Sequence, residues 1–241
     1  MAEPFLFYWV LVPATVIGGF LRGFAGFGGP LFLLPILNFF LPPAVSIGVM
    51  MWVDLFGNVR LLPDARAEAA RAVVAPLAIG TAIGMPIGLQ VLLAVEPALM
   101  KKILCGSILA AAVVLMSGWR YRRPVGTALY GGIGAASGFV MGATSIAALT
   151  PLFLGAGNHT AAQNRANFIV WVFLATVLLL VLLALHDTLT AGNAVAIAIL
   201  TLPYLAGIVI GSRLQRTAAD ATVRRTVLAL IIATATVGLI F

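Results

Sequence analysis

The sequence predicts an all-α integral membrane protein of two inverted-topology repeats, each a re-entrant helical hairpin plus three transmembrane helices. Three observations carry this. Hydrophobic residues fill 62% of the 241 positions and charged residues only 9%, with a mean hydropathy of +1.14, so apolar helix dominates and little of the chain is solvated surface. Breaks at proline, glycine and charge cut the chain into apolar runs whose order and lengths recur after residue 118. The arginines between those runs gather in three clusters. A bilayer core about 30 Å thick needs roughly 20 apolar residues per helical crossing, which leaves no room for a sizeable soluble domain.

The first repeat, residues 1–118, opens with an apolar run from Phe5, preceded by Glu3 and no basic residue. A cleavable signal peptide wants a positive start, so this run is read as part of the mature protein. Pro30 to Leu41 is too short to span and pairs with the preceding run as a hairpin. Its bend is the stretch "GFLRGFAGFGGP", Gly19 to Pro30. Pro43 to Leu62, Ala72 to Val95 and Ala98 to Gly118 are three crossings. A basic linker, "WRYRRP" within residues 119–124, leads to the second repeat, residues 125–241. There the same order returns: Val125 to Met141, a short run from Thr144 to Leu154, then Asn164 to Leu185, Ala191 to Gly211 and Thr222 to Phe241. Laying one glycine-rich stretch over the other matches Gly26 with Gly142 and Pro35 with Pro151, as a duplicated unit would.

The positive-inside rule then orients the chain. Arg60, Arg66 and Arg71, then Arg120, Arg122 and Arg123, then Arg213, Arg216, Arg224 and Arg225 all become cytoplasmic if each hairpin returns to its side of entry. The amino terminus is then external, the first hairpin enters from outside and the second from inside. Lys101 and Lys102 fall near an external loop and snorkel from a helix end.

The formal net charge of +7 follows from those clusters and does not mark a nucleic-acid partner. Cys105 is the sole cysteine, which excludes an internal disulfide and a multi-cysteine metal site. No metal or cofactor is expected. His159 and His186 lie at segment ends, and neither a G-x-S-x-G nor an H-E-x-x-H pattern occurs, so an intramembrane enzyme is the weaker reading. No Walker-type sequence is present to hydrolyse ATP.

Arg22 needs an explanation, since arginine at mid-bilayer costs about 2.5–3.5 kcal/mol on insertion scales. Glycines around it permit tight turns and close backbone approach. Helix starts near Gly28 to Phe32 and Ala143 to Ile146 present free N–H groups, a positive pole for an anion. The expected substrate-binding set is Arg22, Gly23, Gly26, Gly28, Gly29, Gly138, Gly142, Thr144 and Ser145. The bland alternative is that the glycines pack helices and Arg22 pairs with Asp54. Asp54, mid-segment, reads two ways: a proton-coupling carboxylate or the partner that neutralises Arg22. Asn58, Gln163, Asn164, Arg165 and Asn167 are expected to line an inner vestibule, although Arg165 also suits a positive-inside anchor.

"GFLRGFAGFGGPLFLLPIL" resembles the first-half glycine motif of the TauE/SafE family, also called the toluenesulfonate uptake permease family, of sulfite and organosulfonate transporters. The second motif, "GFVMGATSIAALTP", is similar too, with Ala143 and Thr144 where family members often carry two glycines. The resemblance implies a secondary active transporter of sulfite, organosulfonates or other small organic anions, commonly outward, working by alternating access in a bacterial cytoplasmic membrane. An anion channel is the rival reading. The partners are then the small anion and the lipid bilayer, with a homodimer compatible; a proton is the candidate coupling ion if Asp54 is a coupling carboxylate rather than a neutraliser of Arg22.

Overall fold

The structure is a computed structural model that describes residues 4–25, 28–117, 121, 125–154, 159–188, 191–215 and 220–240. Among them every regular element is a helix: α1 (Pro4–Ala25), α2 (Gly28–Leu37), α3 (Pro43–Glu68), α4 (Arg71–Ala94), α5 (Pro97–Met116), α6 (Thr127–Thr144), α7 (Leu149–Leu154), α8 (Ala161–Leu185), α9 (Ala191–Gln215) and α10 (Asp220–Ile240). Their order is that of the apolar runs, because the same residues delimit both. Pro43 and Pro97 open α3 and α5 at the first helical position, where a missing N–H costs nothing. Thr160 caps α8 by accepting the Gln163 N–H at 3.2 Å, which satisfies one orphan donor of the first turn.

Several boundaries differ from those read in the sequence: α2 ends at Leu37 rather than Leu41, α8 begins at Ala161 rather than Asn164, and α9 runs to Gln215 rather than Gly211, and two further shifts are larger. α3 continues past Leu62 to Glu68 with Pro63 inside it, which leaves one rung of the hydrogen-bond ladder unmade; apart from buried Ala65 this extension is exposed. α6 continues to Thr144, and the next helix begins at Leu149 rather than Thr144. Ser145 causes this: its φ is 61° and its N–H closes on the Met141 carbonyl at 2.7 Å, a left-handed helix stop. Thr144 and Ser145 therefore end one helix instead of starting the next.

α3, α4, α5, α8 and α9 hold stretches long and apolar enough to cross a membrane, namely Pro43–Glu68, Arg71–Ala94, Pro97–Met116, Ala162–Leu185 and Asn193–Leu214. Shorter apolar stretches, Trp9–Phe24, Gly28–Leu37 and Ala229–Leu239, fall in α1, α2 and α10. Rows of exposed apolar side chains, such as Ile79, Ile83 and Ile87 on α4, face outward, which suits hydrocarbon rather than water. The chain is a multi-pass integral membrane protein.

Two helix pairs form the tightest contacts, α1 with α9 and α4 with α6. Glycines at four-residue spacing put one smooth face on each helix. A Cβ on Gly19 or Gly23 would run into the carbonyl of Tyr204 or Ile208, and one on Gly207 or Gly211 into the backbone of α1 around Val16 and Phe20. On the other pair, Gly80, Gly84 and Gly88 lie against the backbone of Gly131, Ala135 and Phe139, while Gly134, Gly138 and Gly142 lie against Leu77, Thr81 and Met85. Between the pairs, α3 packs on α9 and α8 on α4, and α3 and α8 pack on each other. α5 and α10 pack together, and α2 joins α1 to α10.

Candidate functional site

Arg22 sits in the last turn of α1, between the glycine contacts that press this helix onto α9. Its Nε donates to Asp54 Oδ1 at 2.9 Å, and its Nη2 donates to Asn58 Oδ1. Asn58, one turn beyond Asp54 on α3, donates from Nδ2 to Asp54 Oδ2 at 3.1 Å. From α9 the Tyr204 hydroxyl donates to Asp54 Oδ1 at 2.6 Å. All four side chains are buried. Gly29, at the start of α2, lies so close to the Tyr204 hydroxyl and Arg22 Cβ that a side chain there would displace them. A lone buried charge carries a desolvation cost of several kcal/mol. Here the guanidinium and carboxylate offset one another, and three donors converge on the carboxylate. The cluster is neutral as a pair, yet Arg22 Nη1 takes no part in these bonds.

Arg22 and Asp54 also form one wall of a small cavity. Met51 of α3 and Pro30 and Leu31 of α2 continue that wall. Met141, the irregular segment from Ser145 to Ala148, and Phe168, Val172 and Thr176 of α8 complete the lining. Ser145 Oγ reaches Met51 Sδ at 3.2 Å, tying the break between α6 and α7 to α3. The lining is chiefly apolar, with one guanidinium and two hydroxyl-bearing side chains as its donors.

The residues singled out in the sequence divide into three groups. Arg22, Asp54 and Asn58 come together, with Gly29 beside them, and Ser145 faces the same cavity. Gly23, Gly138 and Gly142 sit at helix contacts, Gly28 lies against Leu21, and Gly26 is outside the described residues; no described glycine lines the cavity. Thr144 returns its hydroxyl to the Val140 carbonyl at 2.7 Å. At the start of α8, Gln163 and Asn164 bond around His159, Arg165 is exposed, and Asn167 Oδ1 accepts the Ala70 N–H at 2.7 Å, pinning α8 to the turn between α3 and α4. These four do not reach the cavity.

Two members were not singled out in the sequence, Tyr204 and Thr176. A tyrosine inside an apolar helix needs a partner for its hydroxyl, and Tyr204 precedes the Gly207–Gly211 pair by one turn; that was its available signal.

The profile of the sulfite exporter TauE/SafE family matches residues 11–237. No curated protein and no solved structure matches the chain. The family match takes in the charge pair, both glycine-packed helix pairs and the cavity between them, and spanning nearly the whole chain as it does, it establishes that this membrane protein belongs to the sulfite exporter TauE/SafE family of anion transporters.

Proposed function

We propose that the protein is a secondary active transporter that carries a small sulfur-containing or organic oxyanion, such as sulfite or an organosulfonate, across a bacterial cytoplasmic membrane by alternating access. The observation that carries this reading is the cavity beside a buried arginine whose charge is offset by a single carboxylate. An anion entering the cavity competes with Asp54 for Arg22. A proton on Asp54 removes that competition and leaves the site with a net positive charge, so proton and anion bind cooperatively and travel together. With a singly charged anion, such as a sulfonate or hydrogen sulfite, the loaded site is neutral, which lowers the cost of moving it through the membrane interior. Export then follows whenever the outward gradient of the anion exceeds the opposing proton gradient.

Two repeats, residues 1–118 and 125–241 on either side of the linker, belong to the same proposal. Its support is the matching of contacts: α1 packs on α9 as α6 packs on α4, and α3 packs on α9 as α8 packs on α4. Gly19 and Gly23 approach the Tyr204 and Ile208 backbone as Gly138 and Gly142 approach that of Thr81 and Met85. This lays Gly23 over Gly142, three residues from the register expected from the sequence, and Arg22 then corresponds to Met141. Both line the cavity. Each tight pair takes one helix from each half, and rocking the pairs about α3 and α8 would expose the cavity alternately.

The test is uptake into proteoliposomes of sulfite and methanesulfonate, with and without an external acid pulse. Saturable uptake that the pulse accelerates, and that loses the acceleration in Asp54→Asn, is expected. Flux that never saturates would make the protein a channel; saturable flux indifferent to the pulse would reduce Asp54 to a neutraliser of Arg22.

A further inference from the structure

We propose that Thr176 is the second anchor of the transported anion: its hydroxyl donates to one oxygen of an oxyanion whose other oxygens face Arg22, and this sets a preference for oxyanions over single-centre anions. The inference rests on the transport reading given above. Threonines within the helices of this chain habitually return the hydroxyl to the carbonyl four residues back. Thr15 does so to Leu11, Thr81 to Leu77, Thr144 to Val140, Thr201 to Ile197 and Thr236 to Ile232, at 2.6–2.8 Å. Thr176 is wholly buried and makes no such bond, nor any other. A buried hydroxyl left without an acceptor is costly.

Several other buried polar atoms lack partners among the described residues, on Asn38, Asn164, Asn167 and Thr188, but Thr176 is the one whose residue lines the cavity. Phe168, Val172 and Thr176 follow at four-residue intervals, so one face of α8 forms the wall over about 12 Å. The first two offer no donor. Ser145 has its hydroxyl on Met51 Sδ. Arg22 and Thr176 are therefore the side chains with donors to spare, brought by α1 and α8 to one mostly apolar space. An oxyanion offers each donor an oxygen of its own, whereas a halide must serve both from a single centre.

Half-saturation for methanesulfonate and for chloride, measured in proteoliposomes for wild type, Thr176→Val and Thr176→Ser, tests this. Valine keeps the shape and deletes the hydroxyl; serine keeps the hydroxyl. The expected result is a rise of about tenfold or more for methanesulfonate in Thr176→Val, the range for a hydrogen bond to a charged group, a change within about twofold for chloride, and recovery to within about threefold of wild type in Thr176→Ser. Thr176→Val should melt no lower than wild type without anion, since no bond within the protein is lost. Methanesulfonate half-saturation unchanged in Thr176→Val, or weakened equally with chloride, overturns the proposal while leaving the transport reading intact. Wild-type protein that moves no oxyanion overturns both.

Discussion

Replacing Asp54 by Asn removes the negative member of a buried pair and leaves the Arg22 guanidinium without its counter-charge. The hydrogen-bond geometry makes the substitution worse than a simple loss of charge. Asp54 Oδ1 accepts from Arg22 and Tyr204 while Oδ2 accepts from Asn58. An amide oxygen in the Oδ1 position keeps the first two donors but turns its own NH2 toward the Asn58 NH2. Asn58 cannot flip to relieve this, because its oxygen already accepts from Arg22. Breaking one partner of a buried ion pair costs about 3–5 kcal/mol, and Asp54→Asn is expected to fall in that range in reversible unfolding from mixed micelles. Adding Arg22→Gln should recover much of the loss, with a coupling energy of about 2 kcal/mol or more. A saturating oxyanion should stabilise Asp54→Asn more than wild type, because the ligand supplies the missing negative charge; at a hundred times its dissociation constant the gain is about 2.7 kcal/mol. An Asp54→Asn protein that unfolds within about 1 kcal/mol of wild type, or that gains nothing extra from the anion, would refute the reasoning.

Other expectations follow from the same geometry. Tyr204→Phe removes one donor to the carboxylate and should destabilise by about 1.5–3 kcal/mol, the range for a bond to a charged group, read in the same unfolding assay. Gly84→Leu or Gly138→Leu forces a side chain into the opposing backbone and should cost about 1–3 kcal/mol or more, whereas Gly106→Leu, where a Cβ meets nothing within 4 Å, should stay within about 0.5 kcal/mol. In a Cys105→Ser background, an impermeant thiol reagent applied to intact cells should label cysteines at Glu96 and His186 but not at Ala67 or Ser117; labelling at Ala67 would overturn the inverted topology.

Helix boundaries were legible in the sequence wherever a residue stops a helix by its own chemistry. Pro43 and Pro97 fall at or next to the starts of apolar runs, and the cap at Thr160 stands four residues ahead of the run from Asn164. Ser145 was less legible, because a left-handed serine looks like any other until its N–H is seen on Met141. The Arg22–Asp54 pair could be foreseen, since few other charges lie deep in the apolar runs. Tyr204 could not, because it meets Asp54 across 150 positions. Glycine was the hardest to read: the same residue serves a turn, a ligand approach and a helix contact. Four-residue spacing at Gly19 and Gly23, Gly80 to Gly88, Gly134 to Gly142, and Gly207 and Gly211 was the sign that most of them pack helices. Thr176 left no sequence signal, since a lone threonine in an apolar helix ordinarily bonds its own backbone.

Counterflow in proteoliposomes tests the central claim most directly, that the cavity beside Arg22 holds an oxyanion which the protein moves by alternating access. Vesicles loaded with unlabelled methanesulfonate and diluted into a trace of labelled methanesulfonate should accumulate the label transiently, through wild-type protein and not through Arg22→Gln protein that is shown to be inserted and folded. An overshoot of the same size in Arg22→Gln, or wild-type vesicles that merely equilibrate without overshoot, would contradict the account.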